Sequence, residues 1–312
     1  MKRIIHVALC ALLAVVLPVI CSTAADGKIN VVATIFPPYD FAREIAGDKA
    51  NITMLLPPGS ESHSFEPTPQ DIIKIQNCDV FIHVGGESDE WVKKVLSSME
   101  TSKMKIVTLM DCVEVVEEVI VEGMQNEGHG HAEEENGEYD EHVWTSPRNA
   151  KLIVQKISDT FCEVDPANAD TYRQNTKAYL AKLDELDAKF QNVVKNAARK
   201  TIVFGDRFPF RYFADVYGLT YFAAFPGCST ETEPSAATVK FLIDKIKAEK
   251  IPVVFHIELS NEKMANTISE ETGAKVLLLH ACHNVTRDDF TGGKGYIGLM
   301  TQNVETLKEA LK

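Results

Sequence analysis

The 312-residue chain has no Cys-x-x-Cys pair, no His-Glu-x-x-His and, beyond its first 25 residues, no long apolar run. The first absence excludes a thiolate zinc knuckle and a thioredoxin-type motif. The second removes the helix on which many metallohydrolases set two histidines and a general base. The third leaves no second segment able to cross a membrane. Basic residues are also scarce: 32 Lys and Arg against 45 Asp and Glu give a net charge of −13. A surplus of that sign argues against nucleic acid as a partner and suits a protein that meets cations.

What is present begins with an export signal over residues 1–25. Lys2 and Arg3 make a positive start, and Ile4 to Ile20 is apolar but for His6. Ser22-Thr23-Ala24-Ala25 then supplies small residues for cleavage. An uncleaved anchor is the alternative, although the run is slightly short for a spanning helix. Lipid attachment at Cys21 is a third possibility, against which Ile20 stands where lipoprotein signals usually carry a small residue. A mature chain from Asp26 loses Lys2 and Arg3, which moves its charge to about −15. Its length, 312 less 25 residues, suffices for two domains with substantial cores.

Five cysteines lie outside the signal. In an exported chain disulfides form readily. Cys78 and Cys112 both sit near strand-like segments of the first half. Cys228 and Cys282 both sit in loops after strands of the second half. The expected pairings are Cys78–Cys112 and Cys228–Cys282, with Cys162 free and buried; five reduced core cysteines are the alternative.

Along the chain, strands alternate with helices in two blocks around a helical middle. In residues 26–146 the strands are Ile29 to Thr34, Ile52 to Leu56, Val80 to Val84 and Ile106 to Leu109. The helices are Tyr39 to Ala46, Pro69 to Gln76 and Trp91 to Met99. A non-periodic, acidic loop, 122–141, follows and carries His129-Gly130-His131. Residues 147–198 form linking helices: Pro147 to about Phe161, then Ala167 to about Ala198 after the break at Asp165-Pro166. Tyr172, Tyr179, Leu180, Leu183, Leu186, Phe190 and Val194 make an apolar stripe on the second of these. About 30 helical residues span roughly 45 Å, enough to bridge two domains. Residues 199–312 repeat the alternation, with strands at Thr201 to Phe204, Thr220 to Ala223, Val253 to Phe255 and Val276 to Leu279. Helices are expected at Phe210 to Tyr217, Pro234 to Ala248, Asn261 to Thr272 and Tyr296 to Leu311. Gly218 and Gly273 fit helix C-caps. The fold class is therefore α/β, two domains with parallel sheets covered on both faces.

Candidate chemistry rests on histidine. His63 lies in a turn between Leu56 and Pro69 that is stiffened by Pro57, Pro58, Pro67 and Pro69 and given freedom by Gly59. His142 lies just before a helix start marked by Ser146 and Pro147. His280 and His283 follow the last strand, where ligands gather in open α/β sheets. His256 and Glu258 lie two apart at a strand end and face one side. Neutral imidazoles from different segments suit zinc, and His63, His142 and His280 are the leading ligands. His83, inside Phe81-Ile82-His83-Val84, reads as structural.

The His63 loop, His142-Val143-Trp144-Thr145-Ser146-Pro147, Tyr212-Phe213-Ala214-Asp215-Val216-Tyr217-Gly218-Leu219 and Glu270-Glu271-Thr272-Gly273-Ala274-Lys275 together resemble the solute-binding components of zinc and manganese ABC importers. The resemblance covers essentially the whole mature chain. It implies two α/β domains joined by one long backbone helix, with metal held in the cleft. Ligands in that family are histidines at the positions of His63 and His142, a third His or Glu, and an Asp. Here the third slot falls on Arg207, which cannot ligate, and the Asp slot on His280. Asp206, Glu258, His283 or a water could then complete the set, and Arg207 is expected to pair with Asp206 or Glu231. Imidazole in place of carboxylate shifts preference from manganese towards zinc. His129-Gly130-His131 resembles the metal-capturing loop of zinc-specific members. The resemblance implies a monomeric receptor in the periplasm or on the outer membrane face that binds a metal ion and docks on an ABC permease. An exported zinc hydrolase is the alternative from another class, and it would need an open coordination position and a carboxylate base.

Overall fold

The structure, a computed structural model, describes residues 27–61, 65–124, 139–229 and 233–312. The export signal with Cys21, His63, residues 125–138 of the acidic loop and Glu231 lie outside the described residues.

In the first block β1 (Ile29–Ala33), β2 (Ala50–Met54), β3 (Val80–His83) and β4 (Lys105–Thr108) form a parallel sheet in the order β2-β1-β3-β4. In the second, β5 (Thr201–Phe208), β6 (Thr220–Pro226), β7 (Val253–His256) and β8 (Lys275–Leu278) are parallel in the order β6-β5-β7-β8. Parallel neighbours require crossovers, and helices supply them. These are α1 (Phe36–Ala46), α2 (Pro69–Gln76) and α3 (Glu90–Ser97), then α6 (Arg211–Tyr217), α7 (Ala236–Glu249) and α8 (Lys263–Thr272). The chain closes with α9 (Arg287–Thr291) and α10 (Tyr296–Ala310).

Side chains alternate across each strand, and both faces are buried. Val31, Val80, Ile82, Phe204 and Phe255 point into one core shared by the two blocks. Val32 and Phe81 point to a satellite cluster under α2 and α3. Val203 and Val254 point to another under α7 and α8.

The linking helices are α4 (Pro147–Val164) and α5 (Ala169–Lys195). Pro147 and the Ser146 side chain, which accepts the Asn149 N–H at 3.4 Å, start α4 where the sequence marks it. The apolar stripe of α5 is buried along Tyr172, Tyr179, Leu183, Leu186, Phe190 and Val194. It packs against α4, α1 of the first block and α10 of the second. Its 27 residues run about 40 Å, so it spans both blocks. A second tie comes from Asp40 on α1, whose carboxylate accepts the Tyr296 N–H at 2.7 Å and so caps α10. Among the described residues no helix is long and apolar enough to cross a membrane.

The expected disulfides do not form: Cys78, Cys112, Cys162, Cys228 and Cys282 are all free thiols. Sheet alternation explains the first pair. Cys78 belongs to the satellite cluster beside Met104, while Cys112 packs against the shared core and donates to the Thr108 carbonyl. Cys282 is sealed in the shared core. Cys228 instead sits beside Glu141 and His142.

Candidate metal centre

His142 is fully buried, at the start of a short 3-10 turn that leads into α4. Asp140, two residues earlier, accepts both the His142 backbone N–H at 2.8 Å and a hydrogen bond from ring Nδ1 at 2.9 Å. Asp140 is held in turn by Tyr212, whose hydroxyl donates to the Asp140 carbonyl at 2.6 Å. A carboxylate on Nδ1 sets the tautomer in which Nε2 offers its lone pair, and it raises the basicity of the ring. Burial pushes the His142 pKa down, but the Asp140 charge and hydrogen bond, helped by Glu141 and Glu118, carry it above the usual 6.5. The ring is hemmed in on three sides. Trp144 stands edge-on at 5.6 Å, His283 edge-on at 4.5 Å, and Gly227 lies where a β-carbon would come within 2.9 Å of Cε1. Glu118 fixes that approach by accepting the Gly227 N–H at 2.6 Å and the Cys228 N–H at 3.2 Å.

His283 reaches this place because the chain turns sharply after β8. Cys282 adopts φ 65°, a left-handed conformation that costs a non-glycine residue energy. Glu258, from the loop after β7, holds the turn by accepting the Ala281 N–H at 2.7 Å and the His283 N–H at 2.8 Å. The Trp144 indole donates to the Ala281 carbonyl at 2.8 Å, and its ring lies 4.8 Å from that of His283. The next residue, Asn284, crosses to the other block. Its amide donates to the Pro57 and Ser60 carbonyls at 2.8 and 2.9 Å, while the Gly59 N–H donates to the Val285 carbonyl at 2.8 Å. These contacts hold residues 57–60 against the loop that carries His283. Gly59 has φ 82°, as its place in the turn requires.

Glu141, His142 and Cys228 also bring donor atoms within 4.8 Å of one another. Burial, with nearby Glu141, Glu118 and Asp140, pushes the Cys228 thiol well above its usual range and keeps it protonated. Burial likewise raises Glu141 to about 6, and its carboxylate is engaged by the Ser88 N–H and hydroxyl.

Residues 31–310 match the family described as zinc-uptake complex component A, periplasmic. The chain is 35% identical over 315 residues to the zinc-binding lipoprotein AdcA of Streptococcus pneumoniae, covering 99% of this chain and 61% of the relative. It is 33% identical over 290 residues to the high-affinity zinc uptake system protein ZnuA of Bacillus subtilis, covering 91% of this chain and 88% of the relative.

The chain belongs to the zinc-uptake component A family.

The fold agrees. The crystal structure of the Zn(II)-bound ZnuA-like domain of S. pneumoniae AdcA superposes with a TM-score of 0.75 at 31% identity, covering 91% of this chain and 99% of that one. The chain spans about three fifths of the length of the AdcA relatives it matches.

The residues expected as ligands do not all come together. His63 lies outside the described residues, on the loop that Asn284 pins. His142 and His283 come together. His280 is buried behind them: its Nδ1 accepts the Cys282 N–H at 3.0 Å and lies 3.5 Å from Glu258, and Asn303 clamps its backbone N–H and carbonyl. Both oxygens of Asp206 accept backbone N–H groups, from Arg207 at 2.8 Å and Ile257 at 3.2 Å. Glu258 is the staple described above. The His256 ring bonds the Ile257 carbonyl, and His83 bridges Thr108 and Asp89 as a structural residue. Arg207 does not pair with the Asp206 carboxylate through its guanidinium; it forks onto Glu61 at 3.1 and 3.3 Å. Sequence reasoning missed Asp140, Glu118 and Gly227 altogether. An acid two residues before a histidine was the readable signal for Asp140, since that spacing allows a backbone and a ring contact from one carboxylate.

Proposed function

We propose that this chain is an extracytoplasmic zinc receptor that hands its cargo to an ABC import permease, and that His63, His142 and His283 bind the ion. The observation that carries this reading is the buried Asp140–His142 pair with the His283 ring 4.5 Å away. A carboxylate-oriented imidazole beside a second imidazole is a donor set that zinc accepts and that manganese, which favours oxygen, does not prefer. The AdcA and ZnuA relatives, named for zinc binding and zinc uptake, support the same cargo. His280 serves as a support, since its Nδ1 is spent on the Cys282 N–H. Export over residues 1–25, with cleavage or lipid attachment at Cys21, places the receptor outside the cytoplasm, where it works as a monomer. It performs no bond chemistry. Its carboxylates near the histidines are committed to holding rings and backbone rather than poised over a water.

Calorimetric titration with zinc tests this. The parent should show one tight site. His63→Ala, His142→Ala and His283→Ala should each lose it, and His280→Ala should weaken it without abolishing it. Tight zinc binding that survives both His142→Ala and His283→Ala ends the proposal.

A further inference from the structure

Arg207 stands where the family resemblance would put a third ligand, and its permanent charge cannot bind a cation. The end of β5 is re-aimed by an extra residue: Phe204 pairs with Ala223, yet Arg207 pairs with Phe225. The Arg207 side chain is only 12% exposed. One arm of its guanidinium donates to Glu61 Oε1 at 3.3 Å and to the Ser229 carbonyl at 3.2 Å, and the other to Glu61 Oε2 at 3.1 Å. Glu61 sits two residues before His63. Ser60, Glu61, Arg207, Glu258, His283 and Asn284 line one small cleft. The two-armed fork fixes direction as well as distance, which a lysine cannot do.

We infer that Arg207 is a positioning residue that clamps residues 57–61, the approach to His63, onto the second block through Glu61. The inference rests on the zinc-receptor reading only in treating His63 as a ligand. Asn284 and Val285 hold the same loop at Pro57, Gly59 and Ser60, and Arg207 extends that grip to the residue next but one to the imidazole. A segment held at residues 57–61 in advance lowers the entropy that binding must remove there.

Zinc affinity alone cannot read the clamp, because removing Arg207 both loosens the loop and removes a repelling charge. The readout is amide exchange at Gly59, whose N–H bonds the Val285 carbonyl, in the metal-free protein. Arg207→Met and Glu61→Gln should each speed exchange about threefold at low salt, the effect of a partly exposed ion pair. The gap should close near 1 M salt, where the Debye length is about 3 Å. Arg207→Lys should fall between parent and Arg207→Met, and the swap Arg207→Glu with Glu61→Arg should restore protection. Exchange equal to the parent in Arg207→Met at low salt, or a swap no better than the single variants, overturns the clamp. Zinc titration of the parent runs alongside; a missing tight site there would count against the receptor reading, whereas the Gly59 result decides the clamp by itself.

Discussion

Replacing Gly227 with alanine isolates how closely His142 is confined. Gly227 is not among the glycines with positive φ, so alanine can adopt its backbone and the effect is steric. The new β-carbon would stand 2.9 Å from His142 Cε1, 3.1 Å from Nδ1 and 3.0 Å from the Phe208 carbonyl, where ordinary contact begins at 3.4 Å. The Gly227 turn cannot back away cheaply, because Glu118 holds it by two N–H groups. The ring must therefore move by roughly half an ångström, the tolerance within which a binding constellation works. Overpacking of this kind costs about 1–3 kcal/mol of stability. Displacing a ligand from its outer carboxylate costs about 10–100-fold in metal affinity. The check is a zinc titration by calorimetry, with urea unfolding of the metal-free protein to separate the two losses. A Gly227→Ala protein that binds zinc within twofold of the parent, at unchanged stability, would refute the claim that this glycine sets the position of the ring.

Asp140→Asn should lower the His142 pKa, read by NMR titration of the metal-free protein, and weaken zinc about tenfold or more; an unchanged pKa would show that Asp140 does not govern the ring. Because the His142 pKa is raised, protons should begin to compete with zinc above the usual 6.5, and affinity should fall steadily as pH drops through and below that value. Stability of the metal-free protein should move the other way: the protonated His142–Asp140 pair stabilises it at low pH, and that contribution is lost as pH rises through the raised pKa. Pairing zinc titrations with unfolding curves across that range checks both signs. In a chain beginning at Asp26, denaturant without reductant should reveal five reactive thiols, whereas the native protein should react slowly, since burial pushes Cys78 to about 12 and Cys112 to about 11; three or fewer in denaturant would mean that a disulfide forms.

The alternation of apolar runs with Gly- and Pro-marked turns made both sheets and α5 readable, because strand and helix periods are local. Pro69 and Ser146-Pro147 marked the starts of α2 and α4. Which of His280 and His283 stands beside His142 was not readable. Strand alternation stops at Leu278, and the turn beyond it depends on a left-handed Cys282 that no glycine announces and on Glu258 from another loop. The cysteine pairings failed for a related reason: closeness along a half-chain says nothing about which face of a sheet each thiol occupies. Arg207 was recognised as unable to bind metal, but its partner Glu61 lies 146 residues away, across the cleft.

The cap on α10 also bears on how the molecule is assembled. Gly295 offers that helix no side chain of its own, and the acceptor for the Tyr296 N–H is Asp40, 256 residues earlier. Asp40 is made 256 residues before its client. The α10 cap is thus complete only when α1 lies docked beside it. Severing the chain between the sheets would leave the second half with an open helix end and the first with a buried carboxylate steadied by Arg43 alone. The two sheets are separate, yet each half would lose a partner at this contact.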